Sequence, residues 1–215
     1  MRKTVALLTL ALTVALFAAE AARADELVVE TPTEEASFPF FCDWGYDWEE
    51  RCYWDTWSPR LSIGGDRDKV WRAGLRFALP GVPAGSDVGR ARLFLYYDRV
   101  CVGVYGSSLP CDGRRWELEV VPILGEWFDE REPELGFPSA WLTIEAGALE
   151  GWLSFDVTDL VTEWVQGSLE RDGLLVKLVD AQEVYLGSGP SPPGRLFPDP
   201  ALHPRLEVEF LRPDQ

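Results

Sequence analysis

The stretch from Cys42 to Trp57 holds the densest group of side chains that could bind a ligand. Its aromatic residues stand among carboxylates, and the candidates for ligand contact are Trp44, Trp48, Tyr53, Trp54 and Trp57. Aromatic faces stack on sugar rings, and carboxylates accept hydrogen bonds from hydroxyl groups. The same rings could instead close the open end of a β-sandwich, where each would bury about 150–250 Å². The sequence leaves both interpretations open.

The four cysteines form two pairs with the same spacing of ten residues, Cys42 with Cys52 and Cys101 with Cys111. In an oxidising compartment an even number of cysteines indicates disulfides. We predict these two pairings because each closes a short loop, which the chain-entropy model values at roughly 2–3 kcal/mol. Other pairings remain open. A four-cysteine metal site is a weaker alternative, because zinc-binding cysteine pairs usually lie about two to four residues apart.

Two acidic groups could also do chemistry. Asp66 and Asp68 follow two glycines and could give oxygen ligands to calcium, although such turns also occur without a metal. The acidic segment 126–134 could hold a carboxylate pair for glycoside hydrolysis, or it could be a solvated loop. Its acidic members are Glu126, Asp129, Glu130, Glu132 and Glu134. We expect no cofactor, with a structural calcium as the one alternative.

Other enzymatic motifs are absent from the sequence. It has no G-x-S-x-G or H-E-x-x-H motif, no P-loop and no dinucleotide-binding fingerprint. The single histidine, His203, precedes Pro204 at the start of a strand pattern, which is a structural position. If all four cysteines pair, none is left as a nucleophile. The sequence therefore predicts a protein that is not an enzyme.

The chain is strongly acidic. It has 36 Asp and Glu residues against 20 Lys and Arg residues, which gives a formal net charge of −16. A field of this sign repels nucleic acids and anionic lipid surfaces, both of which are bound through basic patches. The charge could also serve only to keep the domain in solution. We therefore expect neither a nucleic-acid partner nor membrane insertion.

The first 24 residues have the layout of a cleavable secretory signal. Arg2 and Lys3 precede an apolar run from Val5 to Ala19, and Ala22-Arg23-Ala24 forms a small-x-small cleavage site. The run is shorter than the ~20 residues that a membrane-spanning helix needs. We therefore predict export, either out of the cell or to the periplasm of a two-membrane bacterium.

The rest of the chain shows strand-like alternation of apolar and polar residues, interrupted by Gly and Pro clusters. The patterns lie at residues 72–77, 90–97, 116–120, 153–157, 174–179 and 205–210. In 90–97 both faces become apolar, which predicts a strand buried between two layers. The segment 187–200, with five prolines and three glycines, is expected to be a long surface loop.

One segment, about 158–166, has helical spacing instead. It follows Asp156 or Thr158 as the N-cap and ends before Gly167, which predicts a short amphipathic helix. The sequence thus predicts an all-β, jelly-roll-like sandwich of two antiparallel sheets with one short helix. Residues 25–40 are polar and acidic without a sustained period, so we expect an acidic leader followed by a single domain at 41–212.

Three stretches follow one another in the order of a known domain. They are Leu61–Gly65 with Trp71–Pro80 and Ala91–Tyr96, then Trp152–Lys177, and finally His203–Phe210. Together they resemble the DNRLRE domain, a jelly-roll-like module of secreted and surface proteins that is related to carbohydrate-binding modules. The resemblance implies a fold, and it carries over no binding residue because the shared motifs are structural. The Cys- and Trp-rich segment 38–58 departs from that domain.

These observations favour a secreted, non-catalytic β-sandwich module that binds extracellular or cell-envelope polysaccharide. One alternative is a structural or adhesive exoprotein that acts through contacts with protein or matrix components. A polysaccharide lyase or hydrolase is the other alternative. Solvent-exposed rings between Trp44 and Trp57 would favour the first function over the second, and two carboxyl groups facing each other across a cleft would favour the third.

Overall fold

The protein is an all-β sandwich in which two antiparallel sheets enclose the main hydrophobic core. A computed structural model describes residues 26–39, 42–44, 50–52, 58–66, 69–102, 108–111, 114–125, 134–179 and 189–213. The predicted fold class is therefore confirmed.

The first sheet has four strands in the order β1-β16-β7-β13, and all neighbours are antiparallel. The strands are β1 (Glu26–Glu30), β7 (Asp87–Tyr97), β13 (Gly151–Asp156) and β16 (Arg205–Leu211). In β16, Leu206, Val208 and Phe210 are buried while the residues between them are partly exposed, as strand alternation requires. One face of this sheet covers the core and the other faces outward.

The second sheet has seven strands, of which five run in the order β11-β10-β14-β6-β2. In addition, β12 pairs with β10, and β5 pairs with β6. The strands are β2 (Glu34–Pro39), β5 (Gly64–Asp66), β6 (Lys69–Arg76), β10 (Trp116–Leu124), β11 (Glu134–Leu135), β12 (Ala140–Ile144) and β14 (Leu174–Leu178). On its outer face, Lys177 and Glu119 form a buried ion pair with a nitrogen–oxygen distance of 2.6 Å.

Two small sheets carry the cysteines. One contains β8 (Val100–Val102), β9 (Ser108–Pro110) and β15 (Gly189–Pro190), and the other pairs β3 (Cys42–Trp44) with β4 (Glu50–Cys52). Cys101 and Cys111 form a disulfide with their Cα atoms 5.0 Å apart, so this predicted pairing is confirmed. The register of β3 and β4 places Cys42 opposite Cys52, and the second predicted disulfide stays a prediction.

The one α-helix in the described ranges, α1, spans Thr158–Gln166 as predicted. It packs Leu160, Val161, Trp164 and Val165 into the core. No helix in this part of the chain is long and apolar enough to cross a membrane.

The two ends of α1 differ in how well the sequence predicted them. The helix ends at Gly167, whose φ of 74° is the left-handed conformation that glycine adopts without strain. At the other end Val157, rather than Asp156 or Thr158, is the N-cap residue. Asp156 still covers the first turn, because its Oδ1 accepts a hydrogen bond from the Thr158 backbone N–H at 3.1 Å.

The segment predicted as an acidic leader belongs to the sandwich. Its residues form β1, which pairs with β16, and β2, which pairs with β6. Among the described strands both stand at the edge of their sheets, and each pairs there with one neighbour. An edge strand needs fewer apolar side chains than a central one, which explains why the acidic composition hid these two strands.

The prediction of a surface loop at 187–200 is wrong for residues 189–194 and confirmed for residues 195–200, which form exposed or half-buried turns; residues 187–188 lie outside the described ranges. Residues Pro190 to Gly194 are buried, and Gly189–Pro190 forms β15. The carbonyls of Pro190 and Pro192 accept hydrogen bonds from the backbone N–H groups of Ile63 and Leu61, at 3.0 and 2.9 Å. Proline lacks an N–H but keeps its carbonyl, so a proline-rich segment can still bond to an edge as an acceptor.

Candidate ligand-binding site

The aromatic cluster predicted between Cys42 and Trp57 falls mostly outside the described residues. Trp44 is the last residue of β3. The other four candidates lie outside the described ranges: Trp48, Tyr53, Trp54 and Trp57. The prediction that these rings contact a ligand is therefore neither supported nor contradicted.

The predicted acidic groups are placed in part. Asp66 ends β5 opposite Lys69, and Asp68 lies outside the described ranges. Glu134 begins β11 and is exposed, whereas Glu126, Asp129, Glu130 and Glu132 lie outside the description. Within the described ranges, no group of three or more His, Cys, Asp and Glu residues is placed to hold a metal ion.

A cavity of about 340 Å³ lies where the edges of the two sheets meet, beside β12, β13 and the start of α1. It is lined by Ser139, Ala140, Trp141, Asp156, Thr158 and Asp159. The lining residues thus include one tryptophan, two aspartates, one serine and one threonine. We call this cavity the Trp141 pocket.

Trp141 is an exposed aromatic residue at the pocket. In β12 Ala140 and Ile144 point into the core and are buried, while Trp141 points outward and is 63 % exposed. A large ring left this open to water offers an apolar surface of the kind that stacks on a ligand. The alternation of residues 140–144 is the sequence signal for this site, because it places a tryptophan on the polar side of a strand.

Hydrogen bonds hold the polar wall of the pocket in place. Asp156 Oδ1 accepts hydrogen bonds from the Thr158 backbone N–H and from its hydroxyl, the latter at 2.6 Å. Thr158 Oγ1 in turn accepts one from the Ala91 backbone N–H at 2.9 Å, which ties the start of α1 to β7. Asp156 Oδ2 and the exposed carboxylate of Asp159 have no hydrogen-bond partner among the described residues. These oxygens are acceptors available to a ligand.

A second aromatic group lies on the outer face of the first sheet. Phe94 and Tyr96 of β7 and Trp152 of β13 meet edge to face, with centroids 6.4 Å apart for Phe94 and Trp152 and 5.3 Å apart for Tyr96 and Trp152. The guanidinium of Arg205 lies 4.1 Å from the centroid of Trp152 and 4.6 Å from that of Phe94. We call these four residues the aromatic–arginine cluster.

The aromatic–arginine cluster corrects the prediction that β7 is buried between two layers. Phe94 and Tyr96 are only partly buried, while Ala91, Leu93 and Leu95 on the opposite face fill the core. The apolar residues late in this strand thus serve a surface and not a second core. Cation–π contacts of this kind stabilise a partly exposed arginine by about 0.5–2 kcal/mol.

A buried carboxylate stands apart from both groups. Glu35 of β2 is 8 % exposed, and both of its oxygens lie within hydrogen-bond distance of the Arg195 backbone N–H, at 2.8 and 2.6 Å. Burial raises the pKa of Glu35 to about 7, and the hydrogen bond from Arg195 opposes that rise. A Cβ at Gly194 would come within 2.7 Å of Glu35 Oε2, so glycine is needed for this close approach.

Comparison of the chain with protein-family models found no match. Comparison with curated proteins found no similar protein either. The resemblance to the DNRLRE domain therefore rests on the sequence stretches quoted above, and the site has to be argued from its own geometry.

Proposed function

We propose that this chain is a non-catalytic binding module for neutral polysaccharide and that a sugar ring occupies the Trp141 pocket. The observation that carries this proposal is a largely exposed tryptophan beside a cavity lined by carboxylates and hydroxyls. A sugar has one apolar face of C–H groups and a rim of hydroxyl donors. The indole suits the face, and Asp156 and Asp159 suit the rim.

The size of the cavity supports the same class of ligand. Its volume of about 340 Å³ lies at the lower end of small-molecule pockets, which span roughly 300–1,000 Å³. Two hydrogen bonds to Asp156 hold the polar wall before any ligand arrives. Such preorganisation lowers the entropy cost of binding.

Charge argues for a neutral sugar over an acidic one. The chain carries a net charge of −16, and two carboxylates line the pocket itself. Ionised carboxylates accept hydrogen bonds from hydroxyl groups but repel other anions. Uronic acid polymers and nucleic acids are therefore poor ligands for this surface.

The proposed place of action is outside the cytoplasm, where such polysaccharides occur. The signal-like layout of residues 1–24 supports export. The disulfide between Cys101 and Cys111 supports it independently, because disulfides persist in oxidising compartments.

A structural or adhesive exoprotein is the second candidate. Several large apolar side chains other than Trp141 are exposed, among them Phe137 at 92 %, Leu149 at 80 % and Leu27 at 58 %. Exposed apolar side chains of this kind can serve contacts with another protein. This function predicts that Trp141 is dispensable for any binding to sugar.

The test is a glycan array probed with the secreted form of the protein, followed by titration of each hit using intrinsic tryptophan fluorescence. We expect saturable binding to neutral glycans that is lost in Trp141→Ala. Leu149→Ala is the matched control, since it removes another exposed apolar side chain away from the pocket. Near-normal thermal unfolding of both variants would show that they fold.

Two other outcomes of this experiment would each indicate a different function. If no glycan binds, the exoprotein function replaces this proposal. If a glycan binds and its reducing ends increase with time, the protein is an enzyme, and Asp156→Asn and Asp159→Asn then become the variants to assay.

A further inference from the structure

The outward side chains of β13 connect the Trp141 pocket to the aromatic–arginine cluster. Trp152, Ser154 and Asp156 alternate along this strand with core-facing residues, so all three lie on one face. Trp152 belongs to the cluster and Asp156 lines the pocket. Trp152 and Asp156 are four positions apart along the strand, a distance of about 13 Å.

We propose that the ligand is an extended neutral oligosaccharide that lies along β13 from the Trp141 pocket to a second subsite at the aromatic–arginine cluster. This inference rests on the proposed function and deepens it. It predicts that several linked sugar units are bound together.

We call the outward face of β13 between the Trp141 pocket and the aromatic–arginine cluster the track. Ser154 is the residue of β13 in its middle. Ser154 is exposed and small, and it stands opposite Phe94 in the register of β13 and β7. A larger side chain at this position would stand between the two subsites. Its hydroxyl can donate to or accept from a sugar hydroxyl.

The far end of the track offers a fixed and complementary surface. Tyr96 and Trp152 hold each other edge to face, so their orientation is set before binding. The Nε of Arg205 donates to Glu207 at 2.9 Å. The two terminal nitrogens of Arg205 carry four of the five N–H donors of a guanidinium. This end can thus donate to sugar oxygens.

The two ends of the track therefore differ in hydrogen-bonding character. The pocket end accepts through Asp156 and Asp159, and the cluster end donates through Arg205. A neutral sugar chain carries both donors and acceptors along its length and matches both ends. An anionic chain would meet repulsion at the pocket.

The experiment is isothermal titration of the secreted protein with neutral gluco-, xylo- and manno-oligosaccharides of one to six units. In the wild type we expect affinity to rise with chain length until both subsites are filled. Trp152→Ala should lose about tenfold in affinity for the long chains and keep its affinity for the shortest binding ligand. Leu149→Ala is the control for a general effect of removing exposed apolar surface.

A second variant guards against misfolding of Trp152→Ala. Ser154→Arg places a bulky side chain at an exposed strand position, so the fold should be kept while the track is blocked. We expect Ser154→Arg to lower the affinity for long chains and to leave the affinity for the shortest binding ligand unchanged.

The outcomes separate this inference from the function on which it rests. Suppose that short sugars bind and require Trp141, that affinity does not grow with chain length, and that Trp152→Ala and Ser154→Arg bind like wild type. The second subsite is then refuted, and the proposed sugar site at the Trp141 pocket is retained. If no neutral sugar of any length binds, both fail together. Tighter binding of oligogalacturonates than of neutral chains of equal length would overturn the neutral class.

Discussion

Glu35 is a carboxylate that the fold removes from water, and its protonation is coupled to folding. Its pKa rises from 4.5 to about 7 because burial disfavours the charged form. The folded state therefore binds this proton more tightly than the unfolded state does. The contribution to stability is fully present below about pH 4.5, and it is lost as the pH rises through about 7.

Glu35→Gln should remove this pH dependence, because the amide is neutral at every pH. Above pH 7 we expect the variant to be more stable than wild type by up to about 3 kcal/mol, and near pH 4.5 we expect the two to be equal. Urea denaturation at pH 4.5 and pH 8 measures the difference. Glu150→Gln, at an exposed position, is the control. Equal stability of Glu35→Gln and wild type at both pH values would show that Glu35 does not titrate with folding.

At the same scale, the sequence could indicate single site residues only where a local pattern exposes them. Trp141 interrupts the polar side of a strand pattern, and that signal was available. The partnership of Trp141 with Asp156 and Asp159 was not available, since it depends on which strand edges meet. The alternation of apolar and polar residues and their strand propensity indicate how a residue lies in its own strand. They do not indicate which residue of another strand lies beside it.

Among the elements, α1 was the most predictable because several local signals coincide. Helical spacing, an acidic residue before the first turn and a terminating glycine all point to the same nine residues, Thr158–Gln166. The sequence carries no comparable set of coinciding signals for the strands β1 and β2. As edge strands they carry acidic residues such as Glu26 and Glu34, and the alternation is short.

We expect the Cys101–Cys111 disulfide to stabilise the small sheet of β8, β9 and β15. The strands β8 and β9 have only three residues each, and strands this short are marginal in water without further support. Replacing both cysteines by alanine should lower the free energy of unfolding by about 2–3 kcal/mol, the loop-closure entropy of a ten-residue separation. Chemical denaturation of the variant and of wild type measures this loss.

The second predicted disulfide, between Cys42 and Cys52, is tested separately. Thiol titration of denatured, unreduced wild type should find no free thiol if Cys42 and Cys52 are also bonded. Two reactive thiols would refute that second pairing and leave the first in place. If the Cys101→Ala, Cys111→Ala protein is as stable as wild type, the disulfide does not contribute to the free energy of unfolding. The packing of residue 101, which is 1 % exposed, would then be enough to hold this part of the fold.

For the whole molecule, the class of fold followed from the sequence, whereas the arrangement of the site did not. Alternating strands separated by turns favour two layers around a core, and residues such as Leu93 and Leu206 lie in that core. The Trp141 pocket forms between the edges of two sheets, and the aromatic–arginine cluster joins three strands from residue 94 to residue 205. Such long-range neighbours are set by topology, which local patterns do not determine.

The net charge of −16 gives a prediction that belongs to the molecule as a whole. Raising NaCl from 0.1 M to 1 M shortens the Debye length from about 10 Å to about 3 Å, so every exposed charge interaction weakens. A neutral sugar has no charge to screen, and its Kd should change by less than about twofold. Titration of the best neutral glycan at both salt concentrations measures this, with Trp141→Ala as the non-binding control. Affinity that rises steeply with salt would mean that the ligand is an anion held against repulsion, and affinity that falls steeply would mean that it is a cation.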